Sequence, residues 1–183
     1  VENSSNPHTG RVARKGTLQV DGVGATVPDV YEVTQSPKSE FVSFDNGSEM
    51  SAPKTEGTVT VEGKTNSSKL TFAFAGSVTD VNLPPKYSAN GTQTNNGTAI
   101  SGDPGATSEF AFSIELELPA NTTIEEITRN LKVTANGGQS AQIAIKQAAG
   151  DAYVRVSPKS ITIPQDGSAV SVTIESNTTW TIS

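Results

Sequence analysis

Residues 110–118 read Phe110-Ala111-Phe112-Ser113-Ile114-Glu115-Leu116-Glu117-Leu118, with a large apolar side chain at every second position. A period of two belongs to a β-strand, whose successive side chains leave by opposite faces, so one face is buried and Glu115 and Glu117 point outward. The same beat recurs on either side. Leu70, Phe72 and Phe74 alternate with small residues, and Val59 with Val61, Leu131 with Val133 and Ile143 with Ile145 give shorter versions. With Phe41-Val42-Ser43-Phe44 these make about six or seven strands between residues 37 and 148. Turn residues divide them: Asp45-Asn46-Gly47, Pro84-Pro85, Asn90-Gly91, Asn96-Gly97, Asp103-Pro104-Gly105 and Asn136-Gly137-Gly138. The expected fold is an all-β antiparallel sandwich. Thr122 to Ile127 reads as a single helical turn with the Thr122 and Glu125 spacing of a capping box. Asn82 to Thr107, rich in Pro, Gly, Asn and Thr, reads as a long loop.

Composition agrees with this class. Only 17% of the residues are charged, and Thr, Ser, Asn and Gly supply most of the polar surface, which suits solvent-facing strands and turns. The net charge of −6 opposes a phosphate-tracking surface, so no nucleic-acid partner is expected. The short basic run from Arg11 to Lys15 reads as a solvated turn or strand edge. Cysteine is absent, so neither a disulfide nor a thiolate metal site can hold the fold. No apolar stretch approaches the length of a membrane span. The first residue is Val1 rather than Met, which reads as processing or a cut from a longer protein.

The chain repeats itself. Ser36-Pro37-Lys38-Ser39 recurs as Ser157-Pro158-Lys159-Ser160, followed by Phe41 to Phe44 in one case and Ile161-Thr162-Ile163 in the other. Val59, Val61 and Asn66-Ser67-Ser68 match Val170, Val172 and Asn177-Thr178-Thr179 at one offset, 177 − 66 = 111. On this alignment the first copy carries about ten extra residues between its two anchors. A second repeat, out of phase with the first, matches Arg14 to Gln35, with Gly16-Thr17-Leu18-Gln19-Val20 through Val33-Thr34-Gln35, to Arg129 to Gln147, with Leu131-Lys132-Val133 through Ile145-Lys146-Gln147. Three domains are therefore expected: residues 1–36 as the closing half of a sandwich, 37–148 as a complete one, and 149–183 as the opening half of another. Leu18, Val20, Tyr31 and Val33 at one end, and Val154, Val156, Ile161, Ile163, Val170, Val172, Trp180 and Ile182 at the other, are expected to form strands with an apolar face in search of a partner.

The run Val154 to Ile163, then Gly167, Val170-Ser171-Val172 and Ser176-Asn177-Thr178-Thr179-Trp180-Thr181-Ile182, resembles the opening half of a BACON (Bacteroidetes-associated carbohydrate-binding, often N-terminal) domain. Arg129 to Gln147 and Arg14 to Gln35 resemble its closing half. In the central copy Lys69 or Leu70 stands where the aromatic of the family's Asn-x-x-Trp pattern falls, so only Trp180 matches it. The resemblance implies immunoglobulin-like sandwiches in tandem, a secreted, cell-surface or virion-surface location, and a role in glycan handling.

For catalysis the residues offer little. There is no Cys nucleophile, phosphate-cradling loop or His/carboxylate metal spacing, and His8, the single histidine, reads as a surface residue. Glu125 and Glu126 are adjacent and diverge, while Glu115 and Glu117 share a solvated strand face, so neither couple is set across a glycosidic bond. Asp45-Asn46-Gly47 and Asp103-Pro104-Gly105 read as turns rather than calcium ligands. No cofactor is expected, and the chain is read as a non-enzyme. Sugar binding would use exposed aromatics: Tyr87 is the expected exposed candidate, with Tyr153 and Trp180 beside it and Tyr31 as a further aromatic, although Trp180 in register with Ile182 reads as core. Seven Asn-x-Ser/Thr sequons (Asn3, Asn46, Asn66, Asn90, Asn96, Asn121, Asn177) are read as a product of the Asn- and Thr-rich composition. The leading expectation is a structural segment of an extracellular array whose partners are other copies of itself or adjacent repeats, assembling head to tail by completion of its half-domains. A carbohydrate-binding module, with glycans as partners, is the second, and a phage fibre or capsid-decoration component the third.

Overall fold

A computed structural model describes residues 7–24 and 26–183. Among these residues there are thirteen strands and no α-helix. The chain order is β1 (Arg14–Val20), β2 (Asp29–Gln35), β3 (Val42–Phe44), β4 (Glu49–Ala52), β5 (Gly57–Thr65), β6 (Leu70–Ala75), β7 (Lys86–Ala89), β8 (Thr92–Asn95), β9 (Phe110–Leu118), β10 (Ile127–Ala135), β11 (Ser140–Gln147), β12 (Val154–Ser157) and β13 (Thr173–Ser176). Strands β3 to β11 form two sheets, ordered β3-β5-β9-β7-β8 and β4-β11-β10-β6. Every named neighbour pair is antiparallel except β4 with β11, where Glu49 to Ala52 run parallel to Ala144 to Gln147.

The apolar beat of 110–118 explains the layering. Phe110, Phe112, Ile114, Leu116 and Leu118 are buried while Glu115 and Glu117 are exposed, as the alternation requires. The opposite sheet sends in Leu70, Phe72, Leu131, Val133, Ile143 and Ile145. Removing each such Leu or Ile from water contributes about 2 kcal/mol. An aromatic chain ties the layers together: Phe72 of β6 meets Phe112 of β9 at 5.7 Å and Tyr87 of β7 at 4.9 Å, and Phe112 meets the edge of Phe44 at 6.0 Å. The antiparallel β-sandwich is thus the fold of residues 42–147.

Three expectations are corrected here. The span from Asn82 to Thr107 is not one loop: it holds the hairpin β7–β8 and a 3-10 turn at Pro104–Ala106. Its two-residue connection is Asn90-Gly91, with Asn90 in the left-handed region at φ 49°, as a hairpin of this length demands. The region therefore holds nine strands from β3 to β11 rather than six or seven. Thr122 to Ile127 makes no helical turn; it bends, and Ile127 already opens β10.

The two ends have a different character. Hairpin β1–β2 is paired over seven residues, yet Leu18, Val20 and Tyr31 are exposed and Val33 is only partly covered. At the other end β12 and β13 pair over four residues, and Val154, Val156, Ile161, Ile163, Val170, Val172, Trp180 and Ile182 are exposed. Ile161 to Ile163 and Val170 to Val172 form no strand. The reason is visible in the sandwich. Gly57 to Val61, the first part of β5, is paired only with β9, and β4 is held by β11. Residues 161–172 have no counterpart of β9 or β11 beside them, so their backbone makes no ladder and closes only local bonds, such as Gly167 N–H to the Pro164 carbonyl at 3.0 Å.

Candidate functional site at two asparagine junctions

Asn66, fully buried, follows β5 and gathers three stretches of chain. Its Oδ1 accepts from the Phe41 backbone N–H at 2.9 Å, and its Nδ2 donates to the carbonyls of Thr9 at 3.2 Å, Ser39 at 3.2 Å and Lys38 at 3.4 Å. The Lys38 N–H donates to Gly10 at 2.9 Å, so the strand leaving β2 and the segment preceding β1 are fixed to the same point. On either side of Asn66, Thr65 Oγ1 donates to the Phe41 carbonyl at 2.6 Å and accepts from the Ser67 N–H at 3.0 Å. The other wall is the turn at 103–106. Arg11 forms a two-pronged ion pair with Asp103, and its backbone N–H and that of Val12 donate to the carbonyls of Gly105 and Ala106 at 2.9 and 3.1 Å. A Cβ at position 105 would lie 2.0 Å from the Asn66 carbonyl oxygen, so only glycine allows this approach.

The same arrangement occurs a second time. Asn177 Oδ1 accepts from Tyr153 N–H at 2.9 Å, and its Nδ2 donates to Thr122 and Asp151, both at 2.9 Å. Ser176 Oγ donates to the Tyr153 carbonyl at 2.8 Å and accepts from the Thr178 N–H at 3.0 Å, while the Gly150 N–H donates to Thr123 at 2.7 Å. His8 Nε2 donates to the Val12 carbonyl at 2.5 Å; Asn121 Nδ2 donates to Glu125 at 2.8 Å. Partner by partner, the offset is 113 from Thr9 to Thr122 (122 − 9), 112 from Phe41 to Tyr153 (153 − 41) and 111 from Asn66 to Asn177 (177 − 66).

This geometry corrects the alignment drawn from sequence. Val42 pairs with Thr65 and Val154 with Ser176, so β3 corresponds to β12 at 154 − 42 = 112, and Ser157-Pro158-Lys159-Ser160 does not correspond to Ser36-Pro37-Lys38-Ser39. Ser36 to Ser39 lead into β3, whereas Ser157 closes β12. The ten extra residues vanish: 23 positions separate Val42 from Thr65 (65 − 42) and 22 separate Val154 from Ser176 (176 − 154). In the second match Gln35 faces Arg14 and Gln147 faces Ile127, so by register Gly16, not Arg14, takes the place of Arg129, and Leu18 takes that of Leu131. No family model matches the chain, and no curated protein matches it either.

Of the three aromatics expected to bind sugar, Tyr87 does not reach the surface. Tyr87 is only 2% exposed, its ring against Phe72 in the core, because β7 turns it inward in place of the loop that would have exposed it. Tyr153 and Trp180 are 39% and 47% exposed; Trp180 is thus not in a core, and Tyr153 lies under the Arg155 guanidinium at 4.9 Å. His8 is buried rather than on the surface. Four sequon asparagines, Asn66, Asn96, Asn121 and Asn177, spend Nδ2 on backbone carbonyls, so a glycan there would break these bonds; Asn3 lies outside the described residues. Glu115 and Glu117 line an open concavity of about 820 Å³ with Glu56 and Asp80. No group of three or more potential metal ligands occurs among the described residues.

Burial pushes the Tyr87 hydroxyl above its usual range, and no partner accepts its proton. Tyr87→Phe is therefore expected to leave stability unchanged or raise it by up to about 1 kcal/mol, read by urea denaturation, because a buried hydroxyl whose proton has no acceptor, and whose oxygen has at most a weak contact with the Leu70 backbone, is removed while the ring contact remains. Asp80 behaves in the opposite sense: hydrogen bonds from Arg129 hold its carboxyl below the usual carboxylate range. That interaction stabilises the fold above the unfolded value, near 3.9, and is lost as pH falls through the lower folded value. Because Asp80 is 42% exposed, the contribution is below about 1 kcal/mol. Denaturation of Asp80→Asn at pH 7 and pH 2 is expected to show a shallower loss at acid pH than the parent chain.

Proposed function

We propose that the chain is a non-catalytic structural segment of an extracellular array of β-sandwich units in tandem, one unit complete and two partial. The observation that carries this reading is the recurrence of the asparagine junction, with matching donors and acceptors, at offsets of 111 to 113. The exposed apolar residues of β1, β2 and β12, with Ile161, Ile163, Val170 and Val172 beyond β12, support it, since such faces are covered when a sandwich is complete. The resemblance to BACON domains points the same way.

The natural partner is an adjacent unit rather than a second copy of this chain. Two copies would bring together counterparts of β3, β4, β5, β10 and β11, but none of β6 to β9, whose last member pairs with β5 over nine residues. A head-to-tail join that carries Thr181-Ile182-Ser183 on into Val1-Glu2-Asn3 falls partly on residues outside those described. A direct test appends residues 68–148 after Thr178, completing the last unit in register. Hydrogen exchange at β12 and β13 should then slow to the level of β3 and β5; unchanged exchange would overturn the array reading. Light scattering of the parent chain separates the filament of split domains, which requires mass to grow with concentration. A glycan that perturbs Tyr153 and Trp180 in an NMR titration would favour the carbohydrate-binding module instead.

A further inference from the structure

We propose that each junction is a rigid joint: a slot built by Asn66 and the turn at 103–106 seats the segment Pro7–Val12 of the preceding unit, and Ala120–Glu125 is the equivalent tongue for the unit that follows. This rests on the array reading and adds its geometry, namely that successive units hold one repeated orientation. An ordinary linker leaves its backbone groups to water and lets neighbouring domains tumble separately. Here the connection is bonded at both strands of the preceding unit. The approach to β1 is held through Arg11 and Val12, and the exit from β2 through Lys38 and Ser39. At the second junction the approach to β10 is held at Thr122 and Thr123, and the exit from β11 at Gly150 and Asp151.

Two details show that this is a socket rather than a chance contact. A buried amide is costly unless its hydrogen bonds are made, and Asn66 makes all of its own with main chain drawn from both sides of the connection. The second junction is half filled. Thr122 and Thr123 are engaged, but Ile124 and Glu125, which correspond to Arg11 and Val12, are exposed. A turn from the next unit, equivalent to 103–106, is the occupant that their free face fits, with an apolar contact at Ile124 replacing the Arg11–Asp103 ion pair.

The test is the set of NMR residual dipolar couplings of the whole chain, compared with Asn66→Ala, Asn66→Asp and Asn177→Ala. In the parent chain one alignment tensor should fit β1–β2, the sandwich and β12–β13 together. Asn66→Ala should release β1–β2 from that tensor, and Asn66→Asp should do so more completely, because a carboxylate offers no donor to the carbonyls of Thr9 and Ser39. Asn177 stands outside the sandwich core, so Asn177→Ala keeps the test open if an Asn66 variant fails to fold; it should release β12–β13 alone. Separate tensors in the parent chain, or a common tensor surviving Asn177→Ala, would overturn the joint. Either result can coexist with slowed exchange in the extended chain, which would leave the array standing with flexible connections.

Discussion

Gly63→Ala is expected to cost about 3 kcal/mol, the upper end for forcing extra volume into a filled core. Gly63 lies in β5 between β3 and β9, where it faces Phe44 on one side and Phe112 on the other. A Cβ there would lie 2.2 Å from the Ser43 carbonyl oxygen and 2.4 Å from Cζ of Phe112. The backbone oxygen belongs to a paired strand and cannot withdraw without breaking the ladder, and the Phe112 ring is held by Phe44 and Phe72. The ring occupies the space that a side chain would take, so glycine and aromatic form one unit. Urea denaturation should show a lower midpoint with an unchanged slope. A loss below about 1 kcal/mol would mean that Phe112 can turn aside, and Gly63→Ala combined with Phe112→Leu is the control that should recover part of the loss.

Arg129→Ala is the second large effect, expected at about 3 kcal/mol. Arg129 is 2% exposed, yet it carries a full charge, made tolerable by two partners. Its Nη1 donates to Gln147 Oε1 at 3.0 Å, and Nε and Nη2 donate to the Asp80 carboxylate. Gln147, fully buried, passes the chain on through Nε2 to the Pro119 carbonyl at 2.8 Å. Truncation leaves Asp80 free to rehydrate, but it strands the Gln147 oxygen, at about 1–3 kcal/mol, and opens a cavity beside β10. Arg129→Met with Gln147→Leu should cost less than Arg129→Ala alone, since apolar replacement of a whole buried polar group is often close to neutral. If the double variant is no better, the network is dispensable and the loss is one of shape.

What could be read from sequence divides along physical lines. Residues 110–118 announced themselves because one face of β9 is buried along its whole length and the other is wet. The hairpin β7–β8 did not: Lys86 to Ala89 and Thr92 to Asn95 bury only Tyr87, Ala89 and Thr94, too few for a period to stand out, although Asn90-Gly91 was there to mark the turn. The four identical residues Ser36 to Ser39 and Ser157 to Ser160 misled, because identity in extended connections carries little structural meaning. The true counterparts Val42-Ser43-Phe44 and Val154-Arg155-Val156 share little but their alternation. Asn66 and Asn177 were visible as a matched couple at an offset of 111, and nothing local in sequence tells that their partners include Thr9 and Thr122, 57 and 55 residues away.

The parallel contact between β4 and β11 has a mechanical consequence. Tension along the polypeptide draws β4 toward the amino-terminal end and β11 toward the carboxy-terminal end, each along its own axis. Because the two strands run in the same direction, the bonds joining Glu49 to Ala52 with Ala144 to Gln147 lie across the line of pull. They are strained simultaneously, in shear, instead of being peeled open one after another as at the end of a hairpin. The shortest strand pairing in its sheet is thereby the seam on which a stretched unit bears its load.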